Sequence, residues 1–169
     1  VGSEMCIRDR PMMTVALAVT TFTGQNAGAR NLSRIKEGHK VALKMAELGT
    51  LILALPALCF APEIVRIFNT DPDVVHYGTL FIRTNCWFAL FACLNQVYAG
   101  VLRGIGDARA PMVIMLFSFV LIRQIYLFVM SRFISNTPLT MGFGYPVGWM
   151  TCCLLEVAYF YLFWKHRPR

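Results

Sequence analysis

Charged side chains are scarce in this sequence. Aspartate, glutamate, lysine and arginine make up 15% of its 169 residues, and only 9 residues are acidic, whereas soluble domains average about 25% charged residues. Hydrophobic residues account for 57%, and the mean hydropathy is +0.56. This balance excludes an ordinary soluble domain and indicates an all-α polytopic membrane protein. The net charge of +7 does not indicate nucleic acid, because the basic residues cluster between apolar runs, where membrane topology explains them.

Metal-binding and catalytic patterns are also missing. No two of the six cysteines form a CxxC pair, and all but Cys6 lie in apolar runs, so we expect neither a disulfide nor a metal site. The three histidines, His39, His76 and His166, are predicted to lie at or outside the membrane interfaces. A His/Glu pair or a GxSxG nucleophile at membrane depth is not found. We therefore expect no catalytic residue, no metal and no cofactor, and a membrane-embedded enzyme is disfavoured.

The first ten residues, VGSEMCIRDR, differ from everything that follows. They are polar and lack the apolar core of a signal peptide. We expect residues 1–10 to be a non-native leader, and residues 11–169 to form one transmembrane unit.

The most informative stretch runs from Thr84 to Pro111. Its first nineteen residues, Thr84–Leu102, carry no formal charge, which is about the length that crosses a bilayer core as a helix. A turn follows that contains Arg103, Gly104, Gly106 and Asp107, and another apolar run begins directly after it. This pattern predicts a tight connection between two membrane helices.

Two amides, Asn95 and Gln96, lie in the middle of that uncharged run. Amide groups in hydrocarbon need partners, so this side of the helix should face protein or a water-filled cavity. Two interpretations remain open at equal weight. The amides line a substrate path, or they tie helices together through bonds worth about 0.6 kcal/mol each.

The rest of the chain divides into further helical segments. An apolar run over residues 11–28 precedes a basic segment, Arg30–Lys44, which we expect to form a short interfacial helix capped by Asn31. We predict a second span over residues 41–61 that is kinked or ended by Pro56, and an interfacial stretch to Thr70 with a short helix opening at Pro62. A long helix is predicted from Pro72 to Leu102, with Asp71 as its cap. After it we expect a span over residues 110–130, a loop over residues 131–144 and a last span over residues 145–164.

Basic residues are distributed unevenly across these spans. Three connections on one side carry most of them: Arg30, Arg34, Lys36, Lys40, Lys44, Arg103, Arg109, Lys165, Arg167 and Arg169. The other side carries Arg66, Arg132 and Arg83. This asymmetry predicts that the first side, with the carboxyl terminus, is cytoplasmic.

Three segments in this order resemble the multidrug and toxic compound extrusion (MATE) family: TTFTGQNAGAR (Thr20–Arg30), LNQVYAGVLRGIGDARAPM (Leu94–Met112) and YPVGW (Tyr145–Trp149). The GQN that ends a span and the LRG-x-GD turn are that family's recurrent signatures. The resemblance covers almost everything after Pro11. It implies about five helices of the carboxyl-terminal lobe of a two-lobed, twelve-helix antiporter, without the first helix of that lobe.

The resemblance also implies a function and partners. Such a transporter would expel organic cations across the plasma (inner) membrane in exchange for sodium ions or protons, and its partners would be the bilayer and the missing amino-terminal lobe. Some sodium-coupled relatives carry an acidic residue on the helix that matches Thr84–Leu102, but Ala92 and its neighbours offer none. No site for the coupling ion is therefore identified in this chain.

Single residues have competing interpretations. Gln25 and Asn26, between Gly24 and Gly28, are expected to shape a turn, and Gly100, Gly104 and Gly106 to permit close packing and a tight turn. Arg123 should serve structure or gating, because a cationic substrate would be repelled by it. Glu156 is the one carboxylate well inside an apolar run, close to mid-membrane by residue count, and it either protonates reversibly or pairs within the protein.

Two other functions are alternatives to an efflux transporter. A lipid-linked sugar flippase of the same superfamily would need a basic central cavity, and only Arg123 falls within a predicted span. A non-catalytic membrane subunit is the other alternative to an efflux transporter.

Overall fold

The computed structural model describes the backbone of residues 2–134, 140 and 142–166, and the side chains of residues 12–133, 140 and 142–162. Within these residues the chain is helical and contains no strand, which confirms the predicted all-α fold. The elements are α1 (Gly2–Gly28), α2 (Leu32–Cys59), α3 (Ala61–Phe68), α4 (Pro72–Gly104), α5 (Arg109–Leu116), π1 (Phe117–Ile122), α6 (Arg123–Val129), π2 (Met130–Ile134) and α7 (Gly144–His166).

Helix α4 is the centre of the fold. It packs against α1, α2, α3 and α7, and its bounds confirm the predicted long helix. Asp71 caps it by accepting a hydrogen bond from the Asp73 backbone N–H, and Pro72 occupies the first turn. The six consecutive residues from Val97 to Leu102 are all buried, so this part of α4 is enclosed by protein, whereas Arg103 after it is exposed.

Small residues allow α1 to approach α4 closely. A Cβ at Gly100 would lie 2.8 Å from the Ala16 carbonyl oxygen, and one at Gly104 would lie 2.7 Å from that of Thr20 and 2.6 Å from Thr23 Cβ. The two glycines are four residues apart, as in the GxxxG contacts of membrane helices. The packing role predicted for Gly100 and Gly104 is therefore confirmed.

The prediction for residues 30–61 was wrong in one respect. An interfacial helix and a separate span were expected, whereas α2 is one continuous helix of 28 residues, capped as predicted by Asn31. A single buried stripe explains the continuity: Ile35, His39, Ala42, Ala46, Thr50 and Ala54. These positions recur every three or four residues along the whole helix, so the lysines lie on the opposite, exposed face of the same helix.

The segments around Pro56 and Pro62 follow the sequence more closely. Helix α2 continues past Pro56 only to Cys59, and Pro62 occupies the first turn of α3. Helix α3 is short and amphipathic: Ala61 is buried against the fold, whereas Ile67 and Phe68 are exposed. The predicted short helix opening near Pro62 is thus confirmed, and its interfacial position stays a prediction.

The fourth helical segment is longer than expected. Helix continues from Arg109 to Ile134 with two π-helical stretches, so the first residues of the predicted loop, 131–134, are helical instead. The apolar sequence up to Ile134 contains no proline or glycine to stop the helix at Met130. The rest of that predicted loop, with Asn136 and Pro138, lies mostly outside the described residues.

Three helices of the described chain are long and apolar enough to cross a membrane: Leu32–Cys59, Pro72–Gly104 and the segment Arg109–Phe133. Helices α1 and α7, of 27 and 23 residues, run alongside α4. Residues 2–10 continue α1 as helix, and their interpretation as a non-native leader stays a prediction.

Candidate functional site

The GQN segment forms the end of α1. Asn26 donates from its side-chain Nδ2 to the Phe22 carbonyl oxygen at 2.8 Å, whereas the side chain of Gln25 is exposed. The Asn31 N–H bonds to the Asn26 carbonyl at 2.9 Å, and Arg30 adopts a φ of 54°. This is a Schellman-type helix end. The geometry agrees with the turn role expected for Gln25 and Asn26.

Two glycines flank this turn differently. A Cβ at Gly24 would lie 3.5 Å from the Gly104 carbonyl oxygen, and one at Gly28 would meet nothing within 4 Å. The left-handed conformation that often selects glycine belongs to Arg30. Gly28 is therefore not required by crowding or by a positive φ.

The LRG-x-GD turn repeats the same geometry at the end of α4. Gly106 has a φ of 93°, and the Asp107 N–H bonds to the Leu102 carbonyl at 3.0 Å. A side chain at that φ is strained, so Gly106 is required by the backbone itself. Arg103 donates from Nε to the Ala99 carbonyl at 3.1 Å.

Asp107 joins this turn to the last helix. Its Oδ2 accepts a hydrogen bond of 2.6 Å from the Tyr159 hydroxyl, and its Oδ1 accepts one of 3.3 Å from the Ala110 N–H. The Tyr159 contact links residues 52 positions apart, and sequence reasoning missed it. Because α1, α4 and α7 all end here, the predicted basic connections lie together; we call this the basic end, defined by residues 29–31, 105–108 and the last turns of α7.

Asn95 connects α4 to α7. It is 3% exposed, and its Nδ2 donates to the Trp149 carbonyl oxygen at 3.3 Å. Its Oδ1 is buried and has no hydrogen-bond partner among the described residues. Gln96 is only half-buried. The predicted interior placement therefore holds for Asn95, and its amide ties two helices while one acceptor stays unsatisfied.

Glu156 is the most unusual side chain in the fold. It is 0% exposed, and neither Oε1 nor Oε2 has a hydrogen-bond partner among the described residues. A carboxylate charge at the centre of a membrane helix costs about 2.5–3.5 kcal/mol on insertion scales. Two nearby polar side chains do not satisfy it: the Tyr159 hydroxyl binds Asp107, and Gln124 is exposed.

Three neighbours define the surroundings of Glu156. Cys152, one turn earlier on α7, is adjacent to the carboxylate and to the hydroxyl of Ser118 in π1. Arg103 attracts the carboxylate from the last turn of α4. Cys152 and Ser118 are both 0% exposed, and Ser118 Oγ also lacks a hydrogen-bond partner within the described part of the chain. We call Ser118, Cys152 and Glu156 the buried polar cluster.

The depth of this cluster differs from the sequence estimate. Glu156 precedes Tyr159 by three residues, or about 4.5 Å along a helix axis, and Tyr159 reaches the turn that follows α4. Counting residues along α7 alone had placed Glu156 near the middle of the membrane. The contacts of Tyr159 and Arg103 place it closer to the basic end.

Ser118 belongs to a π-helical stretch. Segment π1 packs on α7, and π-helical turns inside membrane or soluble helices frequently occur at functional sites. A side chain there is aimed differently from one in a regular helix. No sequence pattern predicts this stretch, because Phe117–Ile122 is an ordinary apolar run.

Arg123 packs against an aromatic ring and not against a carboxylate. Its guanidinium carbon lies 4.0 Å from the centroid of the Tyr145 ring, a cation–π contact. Its Nε is buried and has no hydrogen-bond partner in the described structure. The pairing holds the start of α7 to α6, which agrees with a structural role for Arg123.

His39 was expected at an interface, but it is 7% exposed. Its ring centroid lies 4.7 Å from that of Tyr98 and 4.8 Å from that of Phe160, so it joins α2, α4 and α7. The signal that could have found it is the helical stripe: His39 falls four residues after Ile35 and three before Ala42. Among the described residues, no group of three or more histidine, cysteine or acidic side chains could hold a metal ion.

These helices and contacts define a polytopic α-helical membrane protein. The MatE family model matches residues 10–129 of the sequence, well over half of its length. The chain belongs to the MatE family, which confirms the resemblance drawn from its motifs. This is a family of transporters, in agreement with the expectation that the chain is not an enzyme.

Several curated relatives are similar along most of the chain. The "Probable multidrug resistance protein YoeA" of Bacillus subtilis is 23% identical over 157 residues, which cover 93% of this chain and 34% of the relative. "Probable multidrug resistance protein YpnP" of the same organism is 25% identical over 155 residues, 92% of this chain and 35% of the relative. The Thermotoga maritima "Probable multidrug resistance protein NorM" is 28% identical over 127 residues, which cover 73% of this chain and 26% of the relative. The chain thus spans about a third of the length of these relatives.

Proposed function

We propose that this chain forms most of the carboxyl-terminal lobe of a complete transporter that exports organic cations by alternating access, in exchange for sodium ions or protons. The export part rests on membership in the MatE family and on relatives named as multidrug resistance proteins. The ion-coupled part rests on one observation, the fully buried Glu156 carboxylate without a hydrogen-bond partner in the described chain.

A buried carboxylate suits cation exchange for a physical reason. Its charge is costly in hydrocarbon unless a proton, a metal cation or an organic cation compensates it. If an organic cation and a proton or sodium ion compete for the same carboxylate, export of the organic cation is coupled to import of the proton or sodium ion. We assign this role to Glu156, with Ser118 as a neutral oxygen beside it, and propose the amides Asn95 and Gln96 as lining the path.

Other charged or ionisable groups near Glu156 are few. Arg103 faces it from α4, and Cys152 and Cys153 lie beside it on α7. Segment π1 contributes the neutral Ser118. A proton or sodium ion that binds Glu156 would compete with the attraction of Arg103, and Glu156 is the group of this cluster whose charge we propose to change during exchange.

The bilayer is the proposed partner of the outer helix faces. Large apolar side chains are exposed along the segment from α5 to π2, including Val113, Leu116, Val120, Ile125 and Phe128. Only 6% of the most apolar window of this segment is buried in the fold. Lipid tails on this side, and the amino-terminal lobe of the complete transporter, would cover such surfaces.

We place the basic end in the cytoplasm and the protein in the plasma (inner) membrane, on the charge asymmetry. Exposed cysteines test the orientation directly. Cys59 is exposed at the other end of α2, so an impermeant thiol reagent should label it in intact cells. Ala108→Cys, in a Cys59→Ser background, should be labelled only after permeabilisation. Labelling of Ala108→Cys in intact cells, with Cys59 unreactive, would reverse the topology.

The alternatives have less support. A flippase for lipid-linked sugars would need basic residues in a central cavity, whereas Arg123 packs on the Tyr145 ring. A non-catalytic subunit would not explain a buried carboxylate near a π-helical stretch.

The experiment is resistance conferred by the complete transporter. Efflux-deficient cells that express it should tolerate a severalfold higher concentration of a cationic dye such as ethidium, and no more of a neutral antibiotic. Unchanged tolerance, with the protein present in the membrane, would contradict the proposed export and leave a subunit role.

A further inference from the structure

A cavity of about 440 Å³ lies between α3 and the first turns of α4, at the end of the fold opposite the basic end. Its polar lining comes from both helices and from the link between them: Arg66, Thr70, His76, Thr79 and Arg83. Pro62 and Pro72, which open the two helices, also line it. It is separate from the buried polar cluster and is not used by the proposed transport mechanism.

The lining is basic and open to a ligand. Neither Arg66 nor Arg83 forms an ion pair or a side-chain hydrogen bond with any described residue, and both are exposed. No aspartate or glutamate of the described residues lines the cavity. Thr79 Oγ1 is buried and has no hydrogen-bond partner in the described structure. Two guanidinium groups and a free hydroxyl match an anion that carries several acceptor oxygens, and phosphate fits best because arginine binds it bidentately.

The depth of the cavity identifies the source of that phosphate. Arg83 and Arg103 bound the nineteen uncharged residues of α4, a length of about 28 Å, which is close to the hydrocarbon thickness of a bilayer. If Arg103 marks one boundary, Arg83 marks the other. The remaining lining residues of α4 precede Arg83 and therefore lie at headgroup level.

Helix α3 supports the same depth. Ile67 is 79% exposed and Phe68 66% exposed, on a short amphipathic helix whose apolar side chains would enter the lipid. Arg66 directly precedes Ile67 in the chain and lines the cavity. With Ile67 and Phe68 in the lipid, Arg66 would be held beside the headgroups.

We propose that this cavity binds the phosphate group of an anionic lipid in the leaflet that contains α3. Arg66 and Arg83 would bracket the phosphate, and Thr79 would donate a hydrogen bond to it. The inference does not rest on transport, since it concerns binding at the opposite end of the fold from Glu156.

The test uses the complete transporter, delipidated in a neutral detergent, with its thermal unfolding followed as lipid is added. Phosphatidylglycerol should raise the unfolding temperature, whereas phosphatidylcholine and inorganic phosphate should not. Arg66→Gln with Arg83→Gln should raise the half-saturating amount of phosphatidylglycerol at least about tenfold, as loss of charge-assisted bonds predicts. High salt should weaken binding to the wild type but not to this variant.

Two controls make the result decisive. Arg132→Gln removes an exposed arginine of π2, outside the cavity, and should leave the half-saturating amount unchanged. Arg66→Lys with Arg83→Lys keeps both charges but loses the bidentate bonds, so its half-saturating amount should fall between those of the wild type and the glutamine variant. Equal stabilisation by inorganic phosphate would overturn the lipid as the ligand. Unchanged phosphatidylglycerol binding in the glutamine variant, which should unfold at the wild-type temperature without lipid, would overturn the site.

Discussion

Helix α4 contacts α1 and α7 in two different ways. Against α1 it presents Gly100 and Gly104, and the Thr20 hydroxyl lies 3.1 Å from the Gly100 carbonyl oxygen. Against α7 it presents Asn95, which bonds to the Trp149 carbonyl oxygen. Asn95 and Glu156 of α7 each keep buried side-chain oxygen without a hydrogen-bond partner among the described residues. The first contact is closed and satisfied. The second leaves buried polar atoms without a hydrogen-bond partner, which costs free energy.

We infer that the α1 side of α4 holds the fold together and that its α7 side takes part in the proposed ion exchange. Small residues on the α1 side fix the two backbones at a short distance and leave no freedom for rearrangement. Unsatisfied oxygens on the α7 side carry a free-energy cost that a bound proton or cation can remove. We therefore expect α1 and α4 to move as one body, and the α4–α7 contact to respond to ions.

The largest effect should come from filling the α1–α4 contact. Gly100→Ala with Gly104→Ala places Cβ atoms 2.8 Å and 2.7 Å from backbone oxygens, and overpacking costs about 1–3 kcal/mol at each site. The folded fraction that survives heating in detergent should fall sharply. Gly49→Ala is the matched control, because its Cβ meets nothing within 4 Å and alanine favours helix by about 1 kcal/mol. Equal stability of both variants would refute the close contact.

Next in size is the anchor of α7 at the basic end. Tyr159→Phe removes the 2.6 Å hydrogen bond to Asp107, and bonds to charged groups contribute about 1.5–3 kcal/mol. We expect a lower unfolding temperature and weaker export in the complete transporter. Tyr161→Phe makes the same change at an exposed ring two residues away and should be silent. If the two variants behave alike, Tyr159 does not hold the turn.

The smallest effect on stability should come from the amide tie. Asn95→Leu removes the 3.3 Å bond to the Trp149 carbonyl, and such bonds in membranes are worth about 0.6 kcal/mol. The Oδ1 of Asn95 already lacks a hydrogen-bond partner among the described residues, so the net loss of stability should be no larger than this. Export should nevertheless fall if Asn95 lines the path. The double variant Asn95→Leu with Gln96→Leu tests both amides. If it is expressed normally and exports at the wild-type rate, Asn95 and Gln96 have only a packing role.

The sequence was sufficient where local chemistry decides the structure. Asp71 and Pro72 fix the start of α4, and Gly106 fixes the turn after it, because a cap, a proline and a positive φ act within a few residues. It failed at α2, where lysines on an exposed face resembled a separate interfacial helix. There the buried stripe from Ile35 to Ala54 is the better guide.

Contacts between residues far apart in the chain could not be predicted from the sequence. The hydrogen bond from Tyr159 to Asp107 depends on how α7 packs against the turn after α4, and no local pattern encodes it. The same holds for Ser118 beside Cys152, because a π-helical stretch reads as an ordinary apolar run. Glu156 was found from composition alone, since a lone carboxylate in an apolar run is conspicuous, but its lack of a partner in the described fold required coordinates.

The most direct test of the account is the pH dependence of export by Glu156→Gln. Glutamine keeps the size and polarity of the side chain but cannot gain or lose a proton, so it removes the one group in the buried polar cluster that we propose exchanges cations. Arg103, Cys152 and Cys153, the neighbouring ionisable groups, remain. Glu63→Gln, which changes an exposed carboxylate of α3, is the matched control.

Export should be measured in vesicles that contain the complete transporter, at equal protein content, over a series of external pH values. We predict that Glu156→Gln flattens the pH profile while the Glu63→Gln profile follows the wild type. A Glu156→Gln variant with the wild-type rate and the wild-type pH profile would contradict the account and leave Glu156 as a structural residue.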